Sequence, residues 1–401
     1  MKKTLLIIIA FATINIANAQ GPEVTSWIQN TTGAVGYNSI PSNVQTVQYS
    51  ATQVYVSCTC IPGYSIGPWA GNPNVPLNQN FVWKITRAPV QNTGTATAIG
   101  LGHTGVWTNG VSIFNVSDAA SYNNGGVWFR NAYFWEGSGF DACLGHPQQQ
   151  GEYHHHVSPT CLYNDADSTH HSPIIGYAFD GFPVYGAYAY TNVNGTGAIK
   201  RMKSSYADTT TNLRASGPAV STTYPNGCFI QDFKYTAGSG DLDARNGRFC
   251  VTPEYPAGTY AYFVTIDNNL NPVFPYTFYG TYYGVVQTGN TGPGSGHTTI
   301  TETTTVYTPV ATGIDEQNRD IKFQLMQNPV YNYAFIYFDP ASKNNIKGTL
   351  YDAKGTLIRT IENMQPSIEY TLDMSDFAEG IYILKLEAGD KRAVQKIIKS
   401  K

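Results

Sequence analysis

The periodicity of this chain constrains its fold most. Through about residue 288, short β-branched and aromatic runs such as "TVQYSATQVYVSC", "NFVWKITR", "GVSIFNV" and "GTYAYFVTI" are broken by turn sequences like "IPGYS", "NNGG" and "NLNP". Alternation within short runs bounded by Gly, Pro and Asn is the signature of strands. No window of about a dozen residues sustains the 3.6-residue apolar period of a packed helix. An all-β fold is therefore expected. The dense turn residues point to many short strands with long connections rather than a regular up-and-down barrel.

Three further segments divide the chain. Residues 1–19 carry Lys2 and Lys3, an apolar run from Leu5 to about Ala12, and Ala17-Asn18-Ala19 before Gln20. That is the pattern of a secretory signal peptide, and the run is too short for a bilayer span. No later stretch is long and apolar enough, so no transmembrane segment is expected in the mature chain. Residues 289–320 begin Gly/Pro/Ser-rich and hold few large apolar side chains, the composition of a flexible linker. From 321 onward alternating runs return, closing with "IYILKLE" and "RAVQKII" around "AGDK", a hairpin with one buried face. This last part holds 20 of the 51 charged residues in 81 positions, so it is built differently from the Tyr- and Gly-rich part before it. The reading is an irregular, disulfide-braced β-rich domain over 20–288, then the linker, then a small immunoglobulin-like β-sandwich over 321–401.

A net charge of −3 without long runs of one sign removes the electrostatic argument for nucleic acid or anionic lipid. All six cysteines precede the linker. In an exported chain an even count argues for disulfides, and Cys143 with Cys161 and Cys228 with Cys250 would each close a loop of about twenty residues, worth roughly 3 kcal/mol in the chain-entropy model. Cys58 and Cys60 are left as a Cys-Thr-Cys unit, too close for an unstrained bridge, and stay open as free, redox-active or metal-bound thiols.

Five of the eight histidines lie in "YHHHVSPTCLYNDADSTHHSP", residues 153–173. On a strand, His154 and His156 share one face while Tyr153 and His155 share the other. Two imidazoles at this spacing can grip one cation, and imidazole suits Zn or Cu. Further ligands must come from elsewhere, and His171 and His146 are the nearest choices, with His170 the bystander. His155, Tyr153, Asp141 and Asp180 are expected in supporting positions or as additional ligands. Asp180 lies in the apolar, aromatic run "GYAFDGFPVYG", where an unpaired charge would be costly, so it either supports a histidine or opens an Asp-Gly turn. Asp241, Asp243 and Glu254 in "GDLDARNGRFCVTPEYP" make a possible carboxylate site for Ca, or a turn stabilised by its own side chains. The alternative for the histidine cluster is a hydrogen-bonded Tyr/His core in a non-enzymatic surface module that binds a glycan or a protein partner. No nucleophile elbow, phosphate loop or dinucleotide fingerprint occurs, and these residues name no reaction.

Two resemblances follow from longer stretches. "TNGVSIFNV", "FDACLGH", "YHHHVSPTCL", "HSPIIGYAFDGFPVYG", "LDARNGRFCVTPEYPAGTYAYFVT" and "PVFPYTFYG" resemble the YHYH protein family over about residues 102–284, with His155 where that family has tyrosine. "QNPV", "LYDAKGTLI", "LDMSDFAEGIYILKL" and "KIIKS" resemble the C-terminal sorting domain of type IX secretion cargo of the Bacteroidetes over about 322–401. The first implies a compact extracellular, metal-binding β domain. The second implies the type IX secretion machinery as a partner and a secreted or cell-surface destination.

Overall fold

The structure is a computed structural model, and it describes residues 20–209, 214–292, 294–309, 321, 323–326, 328–338, 345–364, 369–389 and 391–400. The expected signal peptide lies outside them. No helix among the described residues is long and apolar enough to cross a membrane.

The fold is all-β. Strands β1 (Val44–Tyr49), β2 (Gln53–Cys58) and β3 (Phe81–Thr86) form an antiparallel sheet whose free edge on β1 is covered by Thr305–Tyr307. Beside it lies an eight-stranded sheet made of β4 (His103–Trp107), β5 (Ser112–Phe114), β6 (His146–Pro147), β7 (Tyr153–His155), β8 (Ile174–Ala178), β9 (Pro183–Tyr185), β10 (Gly247–Cys250) and β11 (Thr259–Phe263). Its order is β10-β11-β9-β8-β4-β5-β7-β6, with β5·β7 and β9·β11 parallel. The two sheets share one core in which Trp27, Trp83, Trp107 and a set of tyrosines are fully buried.

That core is rich in phenols, and a buried phenol needs a hydrogen-bond partner. The molecule meets the requirement with its buried carboxylates. Tyr153 donates to Asp141, Tyr262 to Asp180, Tyr260 to Asp243 and Tyr185 to Glu254, all within 3.2 Å. Asp180 also accepts from the backbone of Phe182 and Gly284, the first of these closing an Asp-Gly turn. Burial pushes the Asp180 carboxyl up to about 6 and that of Glu254 to about 7, against the lowering effect of their donors.

This pairing corrects two expectations. Asp180 does not support the histidine cluster; its acceptor capacity is taken by Tyr262 and its own turn. The proposed Ca site at Asp241, Asp243 and Glu254 does not form either. Asp241 holds Lys200 at 2.6 Å, while Asp243 and Glu254 each hold a different tyrosine.

Two further corrections concern the cysteines and the linker. Cys143 and Cys161 are bonded, whereas Cys228 and Cys250 are free and buried, as are Cys58 and Cys60. Cys228 instead lies in contact with Arg214, 3.7 Å from its guanidinium, and Arg214 is locked to Asp232 at 2.6 Å. The described part of the expected linker is packed rather than free. Asn290 is fully buried and its side chain bonds both backbone groups of Lys84, and residues 305–307 pair with β1. Its remaining residues, 293 and 310–320, lie outside the described set.

The C-terminal part is a sandwich of two antiparallel sheets. One contains β12 (Phe323–Leu325), β13 (Tyr333–Phe338) and β16 (Glu369–Asp373), and the other β14 (Ile346–Asp352), β15 (Leu357–Met364), β17 (Gly380–Ala388) and β18 (Lys391–Lys399). Period-two alternation decides what each face of β13 touches. Ala334, Ile336 and Phe338 join the sandwich core, while Phe335 and Tyr337 join the tyrosine-rich core of the preceding domain.

Candidate metal centre

The centre is built at the edge of the large sheet, and strand register places it. His154 on β7 stands directly opposite His146 on the antiparallel β6, and opposite Ser112 on the parallel β5. Directly opposed side chains are near neighbours, so two of the imidazoles meet across the ladder. His156 follows β7 on the same face as His154 and completes the group. Among the described residues, these three make a set whose potential ligand nitrogens all lie within 4.8 Å of one another.

Tyr153 braces the segment that carries His146. Asp141 receives its phenol at 2.9 Å and the backbone N–H groups of Cys143, Gly145 and Gly67 between 2.8 and 3.1 Å. Gly145 is required there, because a Cβ would collide with the Tyr153 phenol and the His155 ring. The Cys143–Cys161 bridge ties the same loop to the segment that follows β7. Tyr153 and Asp141 thus fix the approach of His146 from the opposite face of the strand. His155, also on that face, is fully buried beside Tyr153, and its pKa is lowered to about 3 by burial first and then by His146 and His156.

Ring orientation decides the chemistry. His154 Nδ1 donates to the Glu152 carbonyl at 3.1 Å, and His156 Nδ1 donates to the Asn115 carbonyl at 2.5 Å. A carbonyl can only accept, so in each neutral ring the proton sits on Nδ1 and Nε2 presents a bare lone pair. Those two Nε2 atoms face each other at 3.1 Å. Lone pair against lone pair at this distance is repulsive unless a cation lies between them. Burial, followed by the neighbouring imidazoles, drives the proton affinity of His154 well below the usual range, and burial and then His156 bring His146 to about 4.

Glu136, just past the short helix Ala132–Trp135, supplies a fourth donor. Its Oε2 is 3.0 Å from His156 Nε2 and 3.4 Å from His146 Nε2. Both Glu136 Oε2 and His146 Nε2 are buried without a hydrogen-bond partner. For metal–nitrogen bonds of about 2.0–2.1 Å, a tetrahedral site spaces its ligand atoms by about 3.3 Å. Three of the six separations, His154–His156, His156–Glu136 and His146–Glu136, bracket that figure, while the three imidazole nitrogens together span up to 4.8 Å, so a four-coordinate metal would draw these donors inward. Phe114 stacks on His154 at 3.8 Å and Phe140 lies 4.8 Å from His146, walling the rings. On the remaining side the group opens into a cleft of about 340 Å³, also lined by Asn72, Asn74, Asp118 and Gln148.

The other sequence candidates lie elsewhere. His171 is fully buried, with Nδ1 against the Ser172 carbonyl and its ring among Tyr185, Tyr190 and Phe263; it does not join the cluster, because β8, β4 and β5 intervene in the sheet. His170 pairs with Asp167 at 2.8 Å. Glu136 was missed in the sequence, although the argument applied to Asp180, a carboxylate within an aromatic run, applies equally to "NAYFWEGSGF".

No curated protein matches the chain. Residues 82–277 match the family model described as YHYH protein, and residues 327–400 match the one described as Secretion system C-terminal sorting domain. The chain therefore carries a YHYH protein domain followed by a secretion-system C-terminal sorting domain.

Proposed function

We propose that this protein is exported by the type IX secretion machinery to the cell surface or beyond, and that its YHYH domain holds a divalent transition metal, Zn or Cu, between His146, His154, His156 and Glu136. One observation carries the metal reading: two imidazoles whose Nδ1 atoms are committed to carbonyls turn their Nε2 lone pairs on each other at 3.1 Å. The sorting domain supports the export route, with the N-terminal signal peptide as the first step and the sandwich as the determinant read at the outer membrane. Imidazole and carboxylate are donors that Zn and Cu both accept, and the hydrogen bonds on Nδ1 orient the ligands as outer partners of metal-bound histidines do.

Elemental analysis of the purified full chain tests this. The protein should carry about one equivalent of metal per chain, a His154→Ala/His156→Ala double variant should carry none, and an exposed-histidine control, His297→Ala, should match the parent. Glu136→Gln, which removes the one anionic ligand, should retain metal with lowered affinity. Equal metal content in the parent and in a double variant that keeps its β-type circular dichroism would refute the assignment.

A further inference from the structure

A second group of polar side chains lies on the other side of Phe114 from the metal centre. His103, at the start of β4, places Nε2 2.5 Å from Ser295 Oγ and Nδ1 3.4 Å from Glu152 Oε1. Its ring sits among Phe81, Trp83, Phe114 and Phe179, with centroids 5.0 to 6.2 Å away. The side chains of His103 and Glu152 are only 12% and 5% exposed. Glu152 is held in turn: Ser112 donates to Oε1 at 2.5 Å and Gln148 to Oε2 at 2.8 Å. Ser295 lies half-buried in a strap fixed to β3, where Val82 donates to the Gly296 carbonyl at 2.6 Å and Thr298 donates to the Val82 carbonyl. Nucleophile, imidazole and carboxylate in this order form the constellation that activates a hydroxyl.

The proton logic is the one that applies at the metal centre. A carboxylate only accepts, so in the tautomer with the proton on His103 Nδ1, 3.4 Å from Glu152 Oε1, Nε2 is left as a base facing Ser295 Oγ. The hydroxyl has one proton and two acceptors, His103 Nε2 and the Gly292 carbonyl at 2.6 Å, and rotation about one bond moves it between them. Beside Ser295 is a cavity of about 380 Å³ whose walls include Thr288, Thr291, His297 and Thr298, rich in hydroxyls and without carboxylate, lysine or arginine side chains.

We infer that Ser295, His103 and Glu152 form an acyl-transfer centre that hydrolyses small, uncharged carboxylic esters. Ser295 Oγ bonds to the ester carbonyl carbon as its proton passes to His103 Nε2. The bond from that carbon to the alkoxy oxygen then breaks, and the departing alcohol takes the proton from His103. Water gives a proton to Nε2 and attacks the acyl-serine carbonyl; the carbon–Oγ bond breaks, Oγ recovers the proton and the carboxylic acid leaves. Ester and water are consumed, alcohol and acid are formed, and no metal takes part. Ser295 and His103 are the catalytic residues, and Glu152 is a positioning residue.

The test uses the full chain, a fluorophosphonate probe and p-nitrophenyl acetate, with and without chelator. The probe should attach at Ser295 by peptide mass spectrometry, and ester hydrolysis should be the same after metal removal, which separates this centre from the metal site. Ser295→Ala, a change in a surface strap, should abolish labelling and lower kcat/KM by roughly 10³-fold or more. Glu152→Gln should lower kcat with KM little changed, whereas a purely structural role would move neither in a folded variant. Absence of label from Ser295 in the folded parent, label at another residue only, or undiminished hydrolysis in Ser295→Ala would each overturn the inference.

Discussion

At the scale of single residues, the interior is governed by the pairing of buried polar groups. Four tyrosines take Asp141, Asp180, Asp243 and Glu254 as acceptors, so carboxylates that look like metal ligands in the sequence are spent on the core. His171 is the residue with the clearest pH signature. It is fully buried, and burial, the dominant cause, lowers its pKa from 6.5 to about 4. The neutral ring is the folded form, so its contribution to stability is complete above pH 6.5, where neither state is charged. It is lost as pH falls toward 4, because the unfolded chain takes up the proton first. The loss amounts to up to about 3 kcal/mol. Since Asp180 and Glu254 titrate in overlapping ranges with the opposite sign, the effect is read as a difference. Urea denaturation of the parent and of His171→Gln should show the parent's advantage shrinking between pH 6.5 and 4, and a pH-independent difference would contradict this account. Sequence reached His154 and His156 because strand alternation is a local rule. It misassigned His171 by nearness along the chain, and it passed over Glu136, whose approach to His146 and His156 is set by packing rather than by spacing.

At the scale of elements, register does what spacing cannot. The opposition of His146 and His154 follows from the β6·β7 ladder, and the Cys143–Cys161 bridge closes 18 residues around that hairpin. The all-β character and the terminal hairpin were legible, since Ala388 stands opposite Lys391 in the β17·β18 pairing that the alternating runs specify. The strap at 288–307 was not legible as structure. Its Gly-, Ser- and Thr-rich composition carries no apolar period, and its order comes from backbone pairing and from one buried amide. Asn290 accepts from the Lys84 N–H at 3.1 Å and donates to its carbonyl at 2.6 Å. Asn290→Ala leaves both groups unsatisfied and should cost about 1–3 kcal/mol in chemical denaturation. An unchanged midpoint would mean that the strap contributes nothing to the fold. The triad escaped notice for a related reason: Ser295 and Glu152 are 192 and 49 residues from His103, and only the strap and the sheet bring them to it.

At the scale of the whole molecule, the sorting sandwich shares core with the YHYH domain instead of hanging from it. Met326, Phe335 and Tyr337 are buried in the same cluster as Trp27 and Tyr64, and Gln324 donates to the Trp27 carbonyl at 3.1 Å. Both large features of the sequence, the β-rich first part and the charged alternating last part, could be separated by composition; their contact could not, because it depends on which face of β13 looks outward. The candidate metal centre lies at the β6·β7 edge of the large sheet, and the proposed ester-cleaving group lies across Phe114 from it. Glu152 serves both, with its carbonyl on His154 and its carboxylate toward His103. The most direct measurement on the central claim is anomalous diffraction at the Zn and Cu absorption edges from crystals of the full chain. The account predicts one strong peak about 2.0–2.1 Å from the Nε2 atoms of His146, His154 and His156, with Glu136 as the fourth ligand. A peak elsewhere, or none at this site in protein supplied with metal, would contradict it.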